Sequence, residues 1–306
     1  MPRHITLVFP GQGSQSLGML NSFEGDELNS INKLTNSVLG IDIIDSVKNG
    51  PEDILNKTSI TQPALLITSY LYYKNLVEEY NLVADLFAGH SLGEYSALVA
   101  SNSIKLEEAL ALVHKRGICM ENSQKGSMYA ILNLSPNLIE EICLKVNEET
   151  GEVVSPANIN SPNQIVIAGS DKASQLVAER CKAAGAKRCI RLNVSIASHC
   201  DLMCEAANIF KKDLDACTFN LPEIPVIHNV DAKIEQNPIN INCKLLDQLT
   251  MPVQWIKTME FVKTFNGIII ECGPGKVLSG LAKSNGLDNI LSMSSESFND
   301  DLIKLL

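Results

Sequence analysis

The stretch Ala88-Gly89-His90-Ser91-Leu92-Gly93-Glu94 places a serine between two glycines in the pattern Gly-x-Ser-x-Gly. The largely apolar stretch 83–88 precedes it as a strand would, and residues 94–100 follow it as a helix would. A sharp turn from strand to helix crowds its own backbone, so it favours glycine, which has no Cβ atom. The stretch therefore predicts a nucleophile elbow with Ser91 at its tip. The N-terminus of the following helix would stabilise an oxyanion formed when Ser91 attacks a carbonyl.

Strand-like and helix-like segments alternate outward from this elbow, which predicts a parallel sheet covered by helices. Residues 5–9 are typical of a buried first strand, and residues 61–80 and 106–122 of helices. From Gly126 onward the order changes to strand, helix, strand, strand, helix, strand, which is the ferredoxin-like arrangement. The six predicted segments are 127–132, 136–150, 153–158, 164–169, 172–184 and 189–192.

The α/β pattern resumes after these six segments, so we expect a small subdomain inserted into a larger one. The predicted large subdomain comprises residues 1–125 and 194–306, and the small one residues 126–193. In the second part of the large subdomain, residues 199–216 and 255–265 are predicted as helices and residues 226–229 and 267–271 as strands. The Asn-rich residues 236–242, which include Pro238, are expected to form a surface loop.

The amino-acid composition indicates a soluble globular protein. The 306 residues are 45% hydrophobic and 20% charged, as in soluble globular proteins. No apolar run is long enough to span a bilayer, and the first apolar stretch is too short for a secretory signal. Nine cysteines without a Cys-x-x-Cys pair suggest neither disulfides nor zinc, so we expect reduced thiols and a cytoplasmic protein. A net charge of −10 argues against nucleic acid, and an acidic partner would need a local basic patch.

A serine nucleophile needs a base, and the best candidate among the five histidines is His199. It lies where an extended segment becomes a helix, a place where catalytic groups are often displayed. His228 is the next candidate. No acid can be singled out as the third member of a triad. Either a distant acid such as Asp201 or Glu271 orients the imidazole, or a neutral carbonyl does so.

Two glycine-containing loops invite a cofactor interpretation. The loop Gly11-Gln12-Gly13-Ser14-Gln15 follows the first strand but lacks the third glycine of a dinucleotide fingerprint. We expect it instead to bring its backbone and the Gln12 amide to the elbow as a second oxyanion donor. The loop Gly273-Pro274-Gly275-Lys276 lacks the spacing of a phosphate-binding loop and is predicted as a turn before a helix.

Six separated blocks together resemble the malonyl-CoA:acyl carrier protein transacylases of type II fatty acid synthesis, nearly end to end and in the same order. The blocks are Pro10-Gly11-Gln12-Gly13-Ser14-Gln15, Gly89-His90-Ser91-Leu92-Gly93-Glu94-Tyr95-Ser96-Ala97, Arg116, Ser198-His199-Cys200, Pro252-Val253-Gln254-Trp255 and Gly273-Pro274-Gly275-Lys276-Val277-Leu278. The resemblance implies a hydrolase-like α/β core with a ferredoxin-like insert, in agreement with the segment order above.

The resemblance also implies roles for individual residues. Ser91 would be the acylated nucleophile and His199 the general base and acid. The backbone N–H groups of Gln12 and Leu92 would form the oxyanion hole. A main-chain carbonyl at Gln254 would orient the imidazole, which would explain why no third acid could be found.

By the same resemblance, Arg116 would bind the free carboxylate of the malonyl group, for which a planar guanidinium is suited. Lys187 and Arg188 match positions used to dock the acidic carrier protein. The implied reaction passes malonyl from malonyl-CoA to the phosphopantetheine thiol of acyl carrier protein for fatty acid elongation. It needs no metal or redox cofactor, and a monomer is expected. The alternatives are a freestanding polyketide acyltransferase, an acyl-thioester hydrolase and a catalytically silent scaffold that binds carrier protein.

Overall fold

Two β-sheets organise the structure, a computed structural model that describes residues 4–194 and 196–305. The strands in these ranges are β1 (Ile5–Phe9), β2 (Leu86–Gly89), β3 (Ser127–Leu132), β4 (Val154–Ser161), β5 (Gln164–Gly169), β6 (Arg188–Arg191), β7 (Val226–Ile227), β8 (Ile268–Glu271) and β9 (Ile290–Ser292). The helices are α1 (Gly25–Leu39), α2 (Ile43–Asn49), α3 (Glu52–Leu55), α4 (Thr58–Tyr80), α5 (Gly93–Ala100), α6 (Leu106–Glu121), α7 (Pro136–Thr150), α8 (Asp171–Ala183), α9 (Cys204–Asp215), α10 (Pro238–Asp247), α11 (Trp255–Lys263), α12 (Val277–Ser284) and α13 (Phe298–Leu305).

The larger sheet is parallel, with the strand order β7-β2-β1-β8-β9. Its central strand β1 is apolar at four of five positions and buried throughout, because helices cover both faces of such a sheet. Phe9 at the end of β1 pairs with Gly89 at the end of β2. The loops that follow these two strands therefore emerge at the same edge of the sheet, where ligands bind in α/β folds.

The smaller sheet is antiparallel, with the strand order β4-β5-β3-β6 and with α7 and α8 packed together beside it. This is the predicted ferredoxin-like order, so the predicted fold class is confirmed. Main-chain hydrogen bonds of 2.9 Å join Val253 of the large subdomain to Ala157 and Ile159 of β4. The subdomain boundaries at 125/126 and 193/194 stay a prediction, and residues 1–3, 195 and 306 lie outside the described ranges.

The predicted loop over residues 236–242 is wrong, because α10 begins at Pro238. Proline suits the first turn of a helix, and the Asn237 side chain caps this one by accepting the N–H of Ile239 at 3.1 Å. Ile241 and Leu245 bury the inner face of the helix. The surface-loop interpretation failed because the same residues that break helices also start them.

Other segment predictions differ from the structure mainly at their ends. The helix predicted from His199 begins later, with a short 3₁₀ turn over Asp201–Met203 followed by α9. The strand predicted over residues 226–229 ends at Ile227. None of the helices in the described ranges is both long enough and apolar enough to cross a membrane.

Candidate active site

The predicted nucleophile elbow is present between β2 and α5. Ser91 has a φ of +52°, a strained value for a residue with a side chain. A Cβ atom on Gly89 would lie 1.9 Å from the carbonyl carbon of Gly93, and one on Gly93 would lie 2.0 Å from the Phe9 oxygen. The two glycines are therefore required by the close packing of the turn against itself and against β1.

His199 is the partner of Ser91. Its Nε2 atom lies 2.9 Å from Ser91 Oγ, and its Nδ1 atom lies 2.6 Å from the main-chain oxygen of Gln248. A carbonyl oxygen can only accept, so the proton of the neutral imidazole belongs on Nδ1. Nε2 is then free to accept the serine proton. The geometry is that of a Ser-His dyad whose imidazole is oriented by a neutral carbonyl.

The prediction that the Gln254 carbonyl orients His199 is wrong. That carbonyl accepts hydrogen bonds from the N–H and the hydroxyl of Thr258, because Gln254 is the N-cap of α11 and its oxygen points into the first helical turn. Gln248 is instead the C-cap of α10, where carbonyl oxygens have no partner within the helix. Its oxygen is therefore available to an imidazole.

Neither acid considered as a third triad member contacts the imidazole. Asp201 is exposed at the start of the 3₁₀ turn. The buried carboxylate of Glu271 caps α12, accepting the N–H groups of Leu278 and Ser279 at 2.9 and 2.8 Å. Of the two alternatives that the residues left open, the carbonyl is the one found.

The surroundings of His199 keep its imidazole neutral. Burial lowers the pKa of His199 to about 3, and the nearby Arg116 cation lowers it in the same direction. The side chain is 2% exposed. A neutral imidazole beside the hydroxyl is the state that a general base needs before the reaction begins.

Arg116, on α6, also lies next to the Ser91 hydroxyl. One guanidinium nitrogen lies 3.5 Å from Ser91 Oγ and 2.9 Å from Gln248 Oε1, and the group lies over the Tyr95 ring at 5.5 Å. Arg116 is only 1% exposed, and burial lowers its pKa. No carboxylate of the described ranges forms an ion pair with it. The site thus holds a buried cation beside the nucleophile without an anionic partner in contact.

Ser91, Arg116 and His199 line a cleft of about 480 Å³ between the two subdomains. Gln12 and Leu92 line it beside Ser91. A Cβ atom on Gly11 would lie 2.3 Å from the His90 oxygen, so the loop after β1 touches the elbow. The Gln12 side-chain amide donates to Thr58 Oγ1 at 3.2 Å. That the backbone N–H groups of Gln12 and Leu92 form the oxyanion hole stays a prediction.

Lys187 and Arg188 lie outside the cleft. Both are exposed, and Arg188 begins β6, the edge strand of the small sheet. The strand continues into residues 192–194, which line the cleft. The two cations are thus placed on a surface next to the cleft mouth rather than in contact with Ser91.

Sequence reasoning missed a buried polar cluster beneath the elbow. Glu94 accepts hydrogen bonds from His228 Nδ1 at 2.6 Å, from the Asn229 N–H at 3.0 Å and from Gln248 Nε2 at 2.8 Å. His228, the second candidate for the base, therefore belongs to this cluster and not to the cleft. The available signal was Glu94 itself, an acid in an otherwise apolar helix directly after the elbow.

A metal ligand set is not found in the part of the chain that the structure describes, because no three His, Cys, Asp or Glu side chains converge there. That the reaction needs neither metal nor redox cofactor stays a prediction.

Known proteins resemble this chain in sequence and in fold. Residues 6–291 match the family described as the acyl transferase domain. The chain is 43% identical over 283 residues to the malonyl CoA-acyl carrier protein transacylase of Escherichia coli K12, covering 90% of this chain and 91% of that protein. This chain belongs to the malonyl-CoA:acyl carrier protein transacylase family.

Solved structures of the family superpose closely on this chain. The malonyl CoA-acyl carrier protein transacylase of Coxiella burnetii is 36% identical with a TM-score of 0.94, covering 100% of this chain and 98% of that one. A malonyl transacylase solved in complex with its type II polyketide synthase acyl-carrier protein is 40% identical with a TM-score of 0.91, covering 99% of each chain. The resemblance predicted from the six sequence blocks is confirmed.

Proposed function

We propose that this chain transfers the malonyl group of malonyl-CoA to the phosphopantetheine thiol of acyl carrier protein through a malonyl-Ser91 intermediate, and so supplies fatty acid elongation. The observation that carries the proposal is Arg116, a buried guanidinium next to the Ser91 hydroxyl without a carboxylate in contact among the described residues. Burying an unpaired charge is costly, so such a cation is typical of a site that awaits an anion.

A malonyl thioester fits this arrangement because it carries a carboxylate two bonds from the reacting carbonyl. With the carboxylate on Arg116, the carbonyl carbon would lie near Ser91 Oγ. An acetyl thioester would leave the guanidinium unpaired. Charge-assisted hydrogen bonds of this kind contribute about 1.5–3 kcal/mol each, enough to separate the two acyl groups by about ten- to a hundredfold.

In the first half-reaction, Ser91 Oγ attacks the thioester carbonyl while His199 Nε2 accepts the hydroxyl proton. The Gln248 carbonyl stabilises the resulting imidazolium through Nδ1–H. The backbone N–H groups of Gln12 and Leu92 would stabilise the tetrahedral oxyanion. Collapse of the intermediate breaks the C–S bond, and His199 returns its proton to the departing coenzyme A thiolate.

In the second half-reaction, the carrier protein's thiol takes the place of coenzyme A. His199 accepts the thiol proton, the sulfur attacks the malonyl ester, and the C–O bond to Ser91 breaks as the proton returns to Oγ. Lys187 and Arg188 would dock the acidic carrier protein beside the cleft, since opposite charges steer association. We further propose a cytoplasmic monomer that works without metal or redox cofactor.

A polyketide pathway is the second candidate for the use of the product. It is favoured by the similarity to the malonyl transacylase solved with a type II polyketide synthase carrier protein. The two uses share the same chemistry at Ser91 and differ only in the carrier protein that receives the malonyl group. Rates with carrier proteins from both kinds of pathway would separate them.

Intact mass spectrometry after mixing with malonyl-CoA tests the proposed function. We expect a malonyl adduct on the unchanged protein, none on Ser91→Ala, and an adduct on Ser198→Ala, a control serine that lines the same cleft. Adding phosphopantetheinylated carrier protein should move the malonyl group to the carrier. An adduct on Ser91→Ala would contradict the nucleophile. Loss of the malonyl group to water in the absence of carrier would indicate a hydrolase, and no adduct at all a scaffold.

A further inference from the structure

Glu94 is a fully buried acid with no part in the two half-reactions. It lies in the first turn of α5, and its carboxylate contacts three donors: His228 Nδ1, the Asn229 N–H and Gln248 Nε2. An ionised carboxylate only accepts hydrogen bonds, so it satisfies all three donors at once. The position therefore suits a carboxylate that organises its neighbours.

The Gln248 side chain has its orientation set by these contacts. Its Nε2 donates to Glu94 Oε2 at 2.8 Å and to the main-chain oxygen of Ser91 at 3.1 Å. This leaves Oε1 to accept from Arg116 at 2.9 Å. A reversed amide would place an oxygen against the Glu94 carboxylate and an NH₂ group against the guanidinium. Both reversed contacts are repulsive, since Glu94 cannot donate and Arg116 cannot accept.

We propose that Glu94 is a positioning residue for malonyl selectivity. Acting through the side-chain amide of Gln248, it holds the Arg116 guanidinium at the place where the substrate carboxylate binds. This inference rests on the proposed function.

Glu94 and Arg116 are not in direct contact, and this separation keeps Arg116 available to the substrate. A carboxylate in direct contact would occupy the donors of Arg116 and compete with a substrate carboxylate. The neutral amide between them orients the guanidinium while keeping its remaining N–H groups available; Arg116 Nε has no hydrogen-bond partner within the described ranges. The carboxylate still lowers the cost of burying the cation, because charge interactions are strong where water is excluded.

Gln248 serves the dyad and Arg116 through different atoms. Its main-chain oxygen orients His199, whereas its side chain holds Arg116. A change of the side chain alone should therefore alter the preference for the acyl group and leave the imidazole oriented. This separation gives the proposal a readout that general destabilisation would not move.

The test measures kcat/KM with malonyl-CoA and with acetyl-CoA for Gln248→Met, which keeps the length of the side chain and the main-chain carbonyl. We expect the malonyl-to-acetyl ratio of kcat/KM to fall about tenfold or more, the size of one lost charge-assisted hydrogen bond. The matched control is Gln62→Met, which changes a buried glutamine that contacts the sulfur of Met120. The malonyl-to-acetyl ratio should be unchanged in the control.

The variant Glu94→Gln tests whether the acid acts through Gln248. It should also lower the malonyl-to-acetyl ratio, and the double variant Glu94→Gln/Gln248→Met should be no less selective than Gln248→Met alone. Such non-additivity is expected when one residue acts only through the other. Additive losses, or an unchanged ratio in either single variant, would overturn the proposal.

Both rates are taken from one preparation, so a lower folded fraction cancels in the ratio. If one single variant fails to fold, the ratio of the other decides. The adduct on the unchanged protein separates a failure of the proposed function from a failure of the role of Glu94. If it forms no malonyl adduct, the proposed function fails. If it forms one and Gln248→Met keeps the normal ratio, only the role of Glu94 and the Gln248 side chain fails.

Discussion

The Nδ1 atom of His199 lies 2.6 Å from the main-chain oxygen of Gln248, so the imidazole that faces Ser91 is oriented by a neutral group. A carboxylate in that place would favour the charged imidazolium throughout the cycle. A carbonyl stabilises the imidazolium less, and the neighbouring Arg116 cation disfavours it further. The base is therefore neutral at rest and carries charge only while it holds the serine proton.

The lowered pKa of His199 predicts a loss of stability in acid. The folded state keeps this imidazole neutral down to about pH 3, whereas an unfolded imidazole takes up a proton near its ordinary value of 6.5. Below that value the unfolded state binds more protons, so the free energy of unfolding falls as the pH falls, by about 1.4 kcal/mol per pH unit for this group. Urea denaturation of the unchanged protein and of His199→Gln measures this slope. The variant should show the shallower dependence, and equal slopes would contradict the assignment.

Arg116→Ala should exchange one substrate preference for another. We expect malonyl transfer to fall about ten- to a hundredfold through loss of a charge-assisted contact, while acetyl transfer is spared or raised because no unpaired cation remains. The measurement is kcat/KM with each acyl-CoA. Lys115→Ala removes the adjacent but exposed cation of α6 and serves as the control. An equal loss with both substrates would count against a carboxylate-binding role.

Charge reversal at Lys187 and Arg188 should weaken use of the carrier protein selectively. The double variant Lys187→Glu/Arg188→Glu should raise the apparent KM for carrier protein about tenfold, because steering by opposite charges is lost. The apparent KM for malonyl-CoA should change little. Lys33→Glu/Lys48→Glu alters the net charge equally at two exposed positions of α1 and α2. The same rise in KM for carrier protein in both double variants would show that net charge, and not a docking surface at Lys187 and Arg188, is responsible.

The glycine after Leu92 should be intolerant of any side chain. A Cβ atom at Gly93 would lie 2.0 Å from the Phe9 oxygen, so Gly93→Ala should destabilise the protein by about 1–3 kcal/mol and remove the malonyl adduct. Gly280 lies inside α12 and has open space where a Cβ would be. Gly280→Ala should therefore stabilise the protein by about 0.5–1 kcal/mol. Denaturant midpoints of both variants check the contrast.

Regular segments of the small subdomain could be predicted closely from the residue pattern. Residues 127–132, 136–150 and 164–169 have the predicted bounds, because their alternation and helical spacing are properties of contiguous residues. The helix α10 was missed, since Pro238 and its asparagine neighbours are compatible with both a loop and a capped helix start. The tertiary contacts of Ile241 and Leu245 decide between them.

The elbow could be recognised from the sequence alone, because a tight turn depends on the glycines directly beside the serine. The partners of Ser91 come from helices and loops far along the chain, and no local pattern says which of their atoms meet. Gln248 and Gln254 are six positions apart, yet one carbonyl is committed to its own helix and the other is free for His199. Glu94 directly follows the elbow motif in the sequence, but the sequence does not show what it contacts. Only the packing of α5 against the segments that carry His228 and Gln248 gives that acid its contacts.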